Sequence, residues 1–507
     1  MKEHRYSVAM SREVDEALRH HLIRTDGQED LCFALWYPSY GETRTTALIE
    51  RVLLPGAGDR KVHGNASYFP QYFERAIGEA VVSVAGIAFL HSHPGPGWQG
   101  MSGDDVRAEI RQAGGVWGST DLPLVGLTLG ADGAWSARFW ERVGPRQYER
   151  RWCSHVRVIG EQLRSTFHDV LMPPPKFREA LRRTVSAWGP QTQADLTRLT
   201  IGVVGTGSVG VIVAEALMRT GFAHVKLLDF DAVEEVNLDR LLHATLDADV
   251  IGKAKVRVFG PRLRRSATAA NIRVDEIEYS VCEEEGFRVA LDCDILFSCV
   301  DRPWPRAALN FIAYAHLIPV IDGGILVGVK PNGKMRSADW KTHIASPDRR
   351  CLECLGQYDP GLVSVERDGY LDDPSYIAGL PTDHPIRRNE NMFAFALAVA
   401  SLEFLQMLMM VVAPGGVANA GEQAYHFVPG FMEEPKFRSC EPNCLYPTFI
   451  AKGERAGITV TAPHVAATRA RTLRSQDHEH PRWPQRWRRS ILAVGDKWSR
   501  WIRRRSR

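Results

Sequence analysis

Apolar and polar positions follow two different periods along this chain, and the changes of period divide it into four stretches. Up to about residue 150, short strand-like runs (LCFALWYP, VVSVAGIAFLHSHP, LPLVGLTLG, AWSARFW) are separated by helical spacing in YFPQYFERAIGEA and DDVRAEIRQAGG. The pattern predicts an α/β domain over 1–150. A proline-rich break, MPPPKF at 172–177, marks 151–176 as a linker. From TIGVVG onward strands alternate with helices to about 450, as in a mostly parallel sheet with crossover helices, which gives a second α/β domain over 177–450. Residues 451–507 form a tail.

One run, Met392 to Ala413, is almost wholly apolar and long enough to span a bilayer. Glu403 stands in its middle, where a membrane would charge about 2.5–3.5 kcal/mol for a carboxylate, and Gln406 follows. The run is therefore read as a buried core helix, and no transmembrane segment is expected.

Composition narrows the class. A chain of 507 residues is expected to hold two or three domains, and 44% hydrophobic with 24% charged residues excludes wholesale disorder or a fibrous repeat. Nine cysteines are too few for a disulfide scaffold, and four fall in two close pairs, which suits a reduced, cytoplasmic protein with a metal site. The N-terminus has no apolar run of the signal-peptide kind. The net charge of +3 is unevenly spread: from His464 onward 13 Lys and Arg face 3 Asp and Glu, a tail of +10 on a body of −7. The end of the tail, RWPQRWRRSILAVGDKWSRWIRRRSR, is read as a solvated extension. The alternative is a basic amphipathic helix that meets nucleic acid, an anionic membrane or an acidic partner.

Two constellations carry chemistry. In the first, His91-Ser-His93 puts two imidazoles on one face of a strand, and Ser102-Gly-Asp-Asp105 follows after eight residues. His91, His93 and Asp105 would leave one position of a tetrahedral zinc open to water, the catalytic rather than the structural arrangement. Glu29 is the candidate to accept and pass on the water's proton, with Asp30 as fallback, and Ser102 is a candidate oxyanion donor or a helix cap. This set resembles the JAB/JAMM (MPN-type) metalloproteases over roughly residues 5–145. That resemblance implies cleavage after the C-terminal glycine of a ubiquitin-like protein.

In the second, Gly205-Thr-Gly207-Ser-Val-Gly210 follows an apolar strand and opens a helix, the arrangement that receives phosphates at a helix N-terminus. Asp229 ends the next strand, nineteen residues after Gly210, placed for ribose hydroxyls. Asp231, Asn237, Arg240, Lys253 and Lys255 follow, with cations enough for a triphosphate, and Asp301 ends a further strand, placed for Mg²⁺. The ordered set resembles the ubiquitin-activating-enzyme superfamily (ThiF/MoeB-like) over about 177–450. The resemblance implies a Rossmann-like adenylation domain using ATP and Mg²⁺. In it Asp229 would hold the ribose; Asn237, Arg240 and Lys255 (or Lys253) the phosphates; Asp301 the metal; and Arg182 or Arg183 would be the upstream arginine.

Cys351-Leu-Glu-Cys354 and Cys440-Glu-Pro-Asn-Cys444 read as a closed, structural zinc site. Relatives that form thioesters place a cysteine between such pairs, and here residues 355–439 contain none. Ser364, Ser375 and Thr382 offer hydroxyls for an oxyester instead. The paired resemblance is similar to the fused proteins of bacterial ubiquitin-like conjugation operons, some tied to antiphage defence. It implies a bifunctional activator and deubiquitinase-like isopeptidase, likewise a homodimer, working with a ubiquitin-like protein ending in glycine and a conjugating enzyme. Maturation of a sulfur carrier for cofactor or cysteine synthesis, and a non-catalytic scaffold, are the alternatives.

Overall fold

The computed structural model describes residues 4–479 apart from 64, 248, 331, 381–389 and 434–438. Its N-terminal half is a nine-stranded mixed sheet built from β1 (Arg5–Ser11), β2 (Leu31–Tyr40), β3 (Arg44–Leu53), β6 (Gly86–Ser92), β7 (Leu124–Leu129), β8 (Trp135–Gly144), β9 (Gln147–Trp152), β10 (His155–Ile159) and β11 (Leu163–Phe167). The hairpin of β4 (Arg60–His63) and β5 (Asn65–Tyr68) stands apart from it. The strand order is β11-β10-β1-β3-β2-β6-β7-β8-β9. Its helices are α1 (Arg12–Leu22), α2 (Pro70–Ser83) and α3 (Gly103–Thr120). The run VVSVAGIAFLHS is not one strand: Val81 to Ser83 end α2, Val84 turns the chain at φ 52°, and only Gly86 onward is β6.

The second half opens with α4 (Arg182–Trp188) and α5 (Pro190–Arg198) and is built on an eight-stranded sheet. Its parallel part is β14 (Arg273–Ile277), β13 (His224–Leu228), β12 (Thr200–Val204), β15 (Ile295–Ser298) and β16 (Val320–Val329), in that spatial order. Three antiparallel strands complete it, β17 (Met335–Ala345), β18 (Gln423–His426) and β19 (Phe431–Glu433). The helices α6 (Ser208–Thr220), α7 (Lys255–Ser266), α8 (Glu284–Leu291), α9 (Pro303–Ala315), α10 (Pro360–Arg367), α11 (Pro374–Gly379) and α12 (Phe393–Val412) connect and cover these strands. The apolar run is α12, which packs on α6, β16 and β17 with Glu403 and Gln406 buried. Its flank at Leu397 and Leu405 is exposed.

Residues 151–176, expected as linker, are largely not one. β10 and β11 form a hairpin on the N-terminal sheet, with β10 parallel to β1. The proline-rich break marks only its end, and within it the polar His155 and Arg157 are both buried. Their partner is Asp294, which precedes β15. It accepts hydrogen bonds from Arg44 (2.5 Å), His155 Nε2 (3.0 Å) and the Thr200 N–H (2.9 Å), and Arg157 lies 3.5 Å away. Burial alone would raise the Asp294 pKa, but His155, Arg44 and Arg157 more than reverse this and hold it well below the usual carboxylate range. Beside it, Asp292 accepts from Lys226 (2.9 Å) and the Thr43 hydroxyl (2.7 Å). One apolar cluster also runs through both sheets, from Ala9, Leu48 and Ile159 to Leu196, Ile201 and Ile344. Beyond 450 the chain does not leave the body: Lys452 pairs with Glu50 (2.7 Å), Glu454 accepts the Tyr40 N–H (3.2 Å), and α13 (Val465–Glu479) follows. The Trp/Arg-rich end, from 480 on, lies outside the described residues.

Removing one partner from a buried ionic cluster strands the others, so Asp294→Ala is expected to lower the unfolding free energy by about 3–5 kcal/mol in urea denaturation. Because its folded pKa is depressed, the Asp294 contribution is complete above the unfolded carboxylate value of about 3.9 and is lost as pH falls toward the folded value.

Candidate functional site

The first site sits where β2 begins and β6 ends. These strands are antiparallel with Leu31 opposite His91, so continuing the register sets Glu29 opposite His93. His91 and His93 face each other with Nε2 atoms 3.2 Å apart. Asp105, in the first turn of α3, lies 3.7 Å from His91 Nε2 and 3.4 Å from His93 Nε2. The three ligand atoms fall within 4.8 Å of one another. Burial, with Arg138 nearby, lowers the His91 pKa to about 3, so its imidazole is neutral, the form a metal requires. Below it Arg138 donates to Thr128 Oγ1 (2.6 Å) and is itself paired with Glu109. The donor set therefore fits a zinc ion.

Glu29 is half-buried; burial raises its pKa, and it feels the charges of both His93 and Asp105. Asp30 is placed otherwise: Arg60 (2.5 and 2.7 Å) and Arg24 (3.2 Å) hold it, tying the β4–β5 hairpin to the sheet. Ser102 caps α3: its Oγ accepts the Asp105 N–H (3.1 Å), and Asp105 accepts the Ser102 N–H (2.7 Å). This capping box fixes the candidate ligand Asp105 at the helix start.

The second site is a cleft of about 1450 Å³ at the carboxyl ends of the parallel strands. Gly205, Gly207, Asp229, Asp231, Asn237, Arg240, Lys255 and Asp301 all line it. Gly205 has φ +85°, and a Cβ there would lie 2.5 Å from the Cys299 carbonyl oxygen; one at Gly210 would lie 1.9 Å from the Gly205 carbonyl oxygen. Gly207 is different. It has an ordinary backbone, and a Cβ added there would meet nothing within 4 Å, so the space beside it belongs to the cleft. That opening, at the N-terminus of α6, is what a phosphate chain would occupy.

Asp229 is buried and stiffens the loop, accepting the Thr206 N–H (2.7 Å) and hydroxyl (3.0 Å) and the Asp231 N–H (2.8 Å). Lys255 reaches Asp231 (2.9 Å). Burial works against its charge, but Asp229, Asp231 and, more weakly, Asp301 outweigh it and raise the pKa. Arg240 is held by the Val236 carbonyl and Asp239 (both 2.9 Å). Lys253, the alternative to Lys255, is exposed and lies outside the lining, as do Arg182, paired with Glu179 (3.0 Å), and Arg183.

The structure adds Arg306, which the sequence reading passed over although it lies five residues beyond Asp301. It lines the cleft and donates to Asp322 (3.1 Å), Gly323 O and Gln357 O (both 3.1 Å). Of the loop hydroxyls, Ser364 and Ser375 are exposed and outside the cleft lining, Ser375 donating to Asp373 (2.7 Å). Thr382 lies outside the described residues. The sulfur atoms of Cys351, Cys354, Cys440 and Cys444 converge within 4.8 Å. A hydrogen bond from Cys351 lowers the Cys440 pKa at the expense of Cys351, whose own is raised; it is the convergence of four thiols that suits a zinc ion.

The family described as the ThiF family matches residues 180–444, a span that begins after the N-terminal sheet and ends before α13. The chain is 28% identical over 148 residues to tRNA threonylcarbamoyladenosine dehydratase of Escherichia coli (strain K12), covering 29% of this chain and 54% of that protein. It is 28% identical over 183 residues to adenylyltransferase and sulfurtransferase UBA4 of Meyerozyma guilliermondii, covering 36% of this chain and 40% of the other. Among solved structures, E. coli MccB with ATP aligns at a TM-score of 0.39 and 16% identity, covering 53% of this chain and 74% of that one. The chain thus spans about half or less of the length of these curated relatives.

The two ligand clusters predict two zinc ions per chain by elemental analysis. His91→Ala is expected to remove one, and Cys351→Ser the other together with a lowered Tm.

Proposed function

The chain belongs to the ThiF family, and on that premise we propose that its cleft adenylates the C-terminal glycine of a ubiquitin-like protein, while the His91 site cleaves the amide after the same glycine. The observation that carries the first half is the convergence of Gly207, Asp229, Arg240, Lys255 and Asp301 on one cleft. The names of relatives that are adenylyltransferases support it. At about 1450 Å³ the cleft exceeds the roughly 300–1,000 Å³ of small-molecule sites, which leaves room for a protein's tail beside ATP.

Loop N–H groups and the α6 N-terminus would receive the phosphates, with Asn237, Arg240 and Lys255 offsetting their charge. Asp229 would hold the ribose and Asp301 a magnesium ion. The carboxylate oxygen of the glycine attacks the α-phosphorus; the bond to the β-phosphate oxygen breaks and its electron pair leaves with pyrophosphate. No proton is transferred, so the residues act by position and charge. With no cysteine in 355–439 to take the acyl group, a separate conjugating enzyme would receive it.

In the N-terminal site, zinc would supply a Lewis acid for the scissile carbonyl and an acidified water. Glu29 takes a proton from the attacking water and delivers it to the leaving amine nitrogen. His91 and His93 serve as neutral ligands, and Ser102 holds Asp105 in place through the helix cap.

ATP–pyrophosphate exchange by the full chain, with a ubiquitin-like protein ending in glycine as probe, tests the reading. Exchange is expected only when the probe ends in its glycine, with a loss of at least about 100-fold in Asp301→Ala or Lys255→Ala. Glu29→Ala is expected to abolish release of a peptide fused after that glycine. Exchange indifferent to the probe, or none at all, would remove the activating half. Sulfur transfer to the activated probe when a sulfurtransferase is added would redirect it to a sulfur-carrier pathway.

A further inference from the structure

The C-terminal segment runs back across the nucleotide cleft. The Ala462 N–H donates to Cys282 O (3.0 Å), the Trp304 indole donates to Val460 O (2.9 Å), and α13 begins at Val465, beyond the family match. His464, Ala466 and Ala470 are part of the cleft lining. The helix is fastened there by two arginines. Arg471 pairs with Glu283 (2.6 and 2.9 Å), donates to Glu278 O (3.0 Å) and lies 4.4 Å over the Tyr279 ring; Arg474 pairs with Glu278 (3.1 Å).

The strand order says which end of a nucleotide meets this helix. Phosphates belong to the loop between β12 and α6, and the ribose to Asp229 at the end of β13. The base then extends away from the phosphates toward β14, the next strand out, and Tyr279 to Val281, which follow β14, line the same cleft. These are the residues to which α13 is tied. His464 sits between Phe230 (5.0 Å) and Trp304 (5.1 Å), is 6% exposed, and its Nδ1 is buried with no hydrogen-bond partner among the described residues. A buried polar atom left unpaired is costly, and because the His464 side chain lines the cleft, a turn of its ring would let a ligand there supply the missing partner.

We propose that α13 is the outer wall of the nucleotide site, closing over the nucleoside, and that His464 Nδ1 bonds a ribose hydroxyl or a base nitrogen. This rests on the reading of the cleft as an ATP site. It extends that site beyond the ThiF-matched span and makes the C-terminal segment answer to nucleotide occupancy, with the basic tail following directly in sequence.

The test uses the full chain with Mg²⁺ and two probes, a non-hydrolysable ATP analogue and inorganic tripolyphosphate, each titrated calorimetrically. His464→Ala, and separately the pair Arg471→Ala with Arg474→Ala, are expected to weaken the analogue by about tenfold, as for one lost hydrogen bond, and to leave tripolyphosphate unchanged. Hydrogen exchange in residues 465–476 of the unsubstituted chain is expected to slow when the analogue binds. Unchanged analogue affinity in both variants would overturn the proposal, as would equal loss for both probes, which would make the helix a strut. If the unsubstituted chain bound tripolyphosphate but gained nothing from the nucleoside, the wall would be refuted and the phosphate loop retained. Binding of neither probe would refute the ATP reading itself.

Discussion

Asp294 carries the charge on which the arrangement of the two sheets depends. A lone carboxylate with no exposure to water would be expensive or would protonate. Here Arg44 and His155 arrive from the N-terminal sheet, the Thr200 N–H arrives from the second, and Arg157 closes the cluster. Arg44, His155 and Arg157 reach Asp294 only when both sheets are in place. Burial of such an ionic cluster is weak evidence for net stability but strong evidence for geometry, because only one relative placement of the sheets pairs the charges. The shared apolar cluster supplies the attraction, and the ionic cluster selects the pose.

From that fixed frame both sites inherit their precision. β12 and β15, next to Asp294, also deliver the glycine loop and the Asp301 loop to the cleft, so these lining groups rest on strands whose register is set by the sheet. In the N-terminal sheet, the β2–β6 register sets Glu29 across from His93, and a buried Glu109–Arg138 pair supports His91 through Thr128.

How much of this was legible in the sequence followed the distance over which each interaction acts. His91 and His93 are two residues apart on a strand, Ser102 and Asp105 close one helical turn, and the glycine loop spans six residues, so local spacing carried them. The role of Asp30 was hidden because Arg60 is thirty residues away on a hairpin that no periodicity announced. The hairpin at 155–167 was hidden for a sharper reason. Its buried His and Arg have no partner nearby in sequence and are held by Asp294, 139 residues on from His155. The packing of 451–479 was obscured in the same way, since Arg471 and Arg474 read as tail charge but are spent on Glu283 and Glu278.

The segment between β11 and α4 is the covalent thread at the point where the sequence pattern would divide the chain, yet it holds little of the assembly together. Lys452 returns to Glu50 and Glu454 returns to the Tyr40 N–H, so the polypeptide is stitched across that seam from its far end as well. A protease nicking the MPPPKF stretch would consequently liberate neither half; the pieces would persist as complementing fragments of one folded body, and scissors at the apparent boundary would prove a poor guide to what constitutes a domain here.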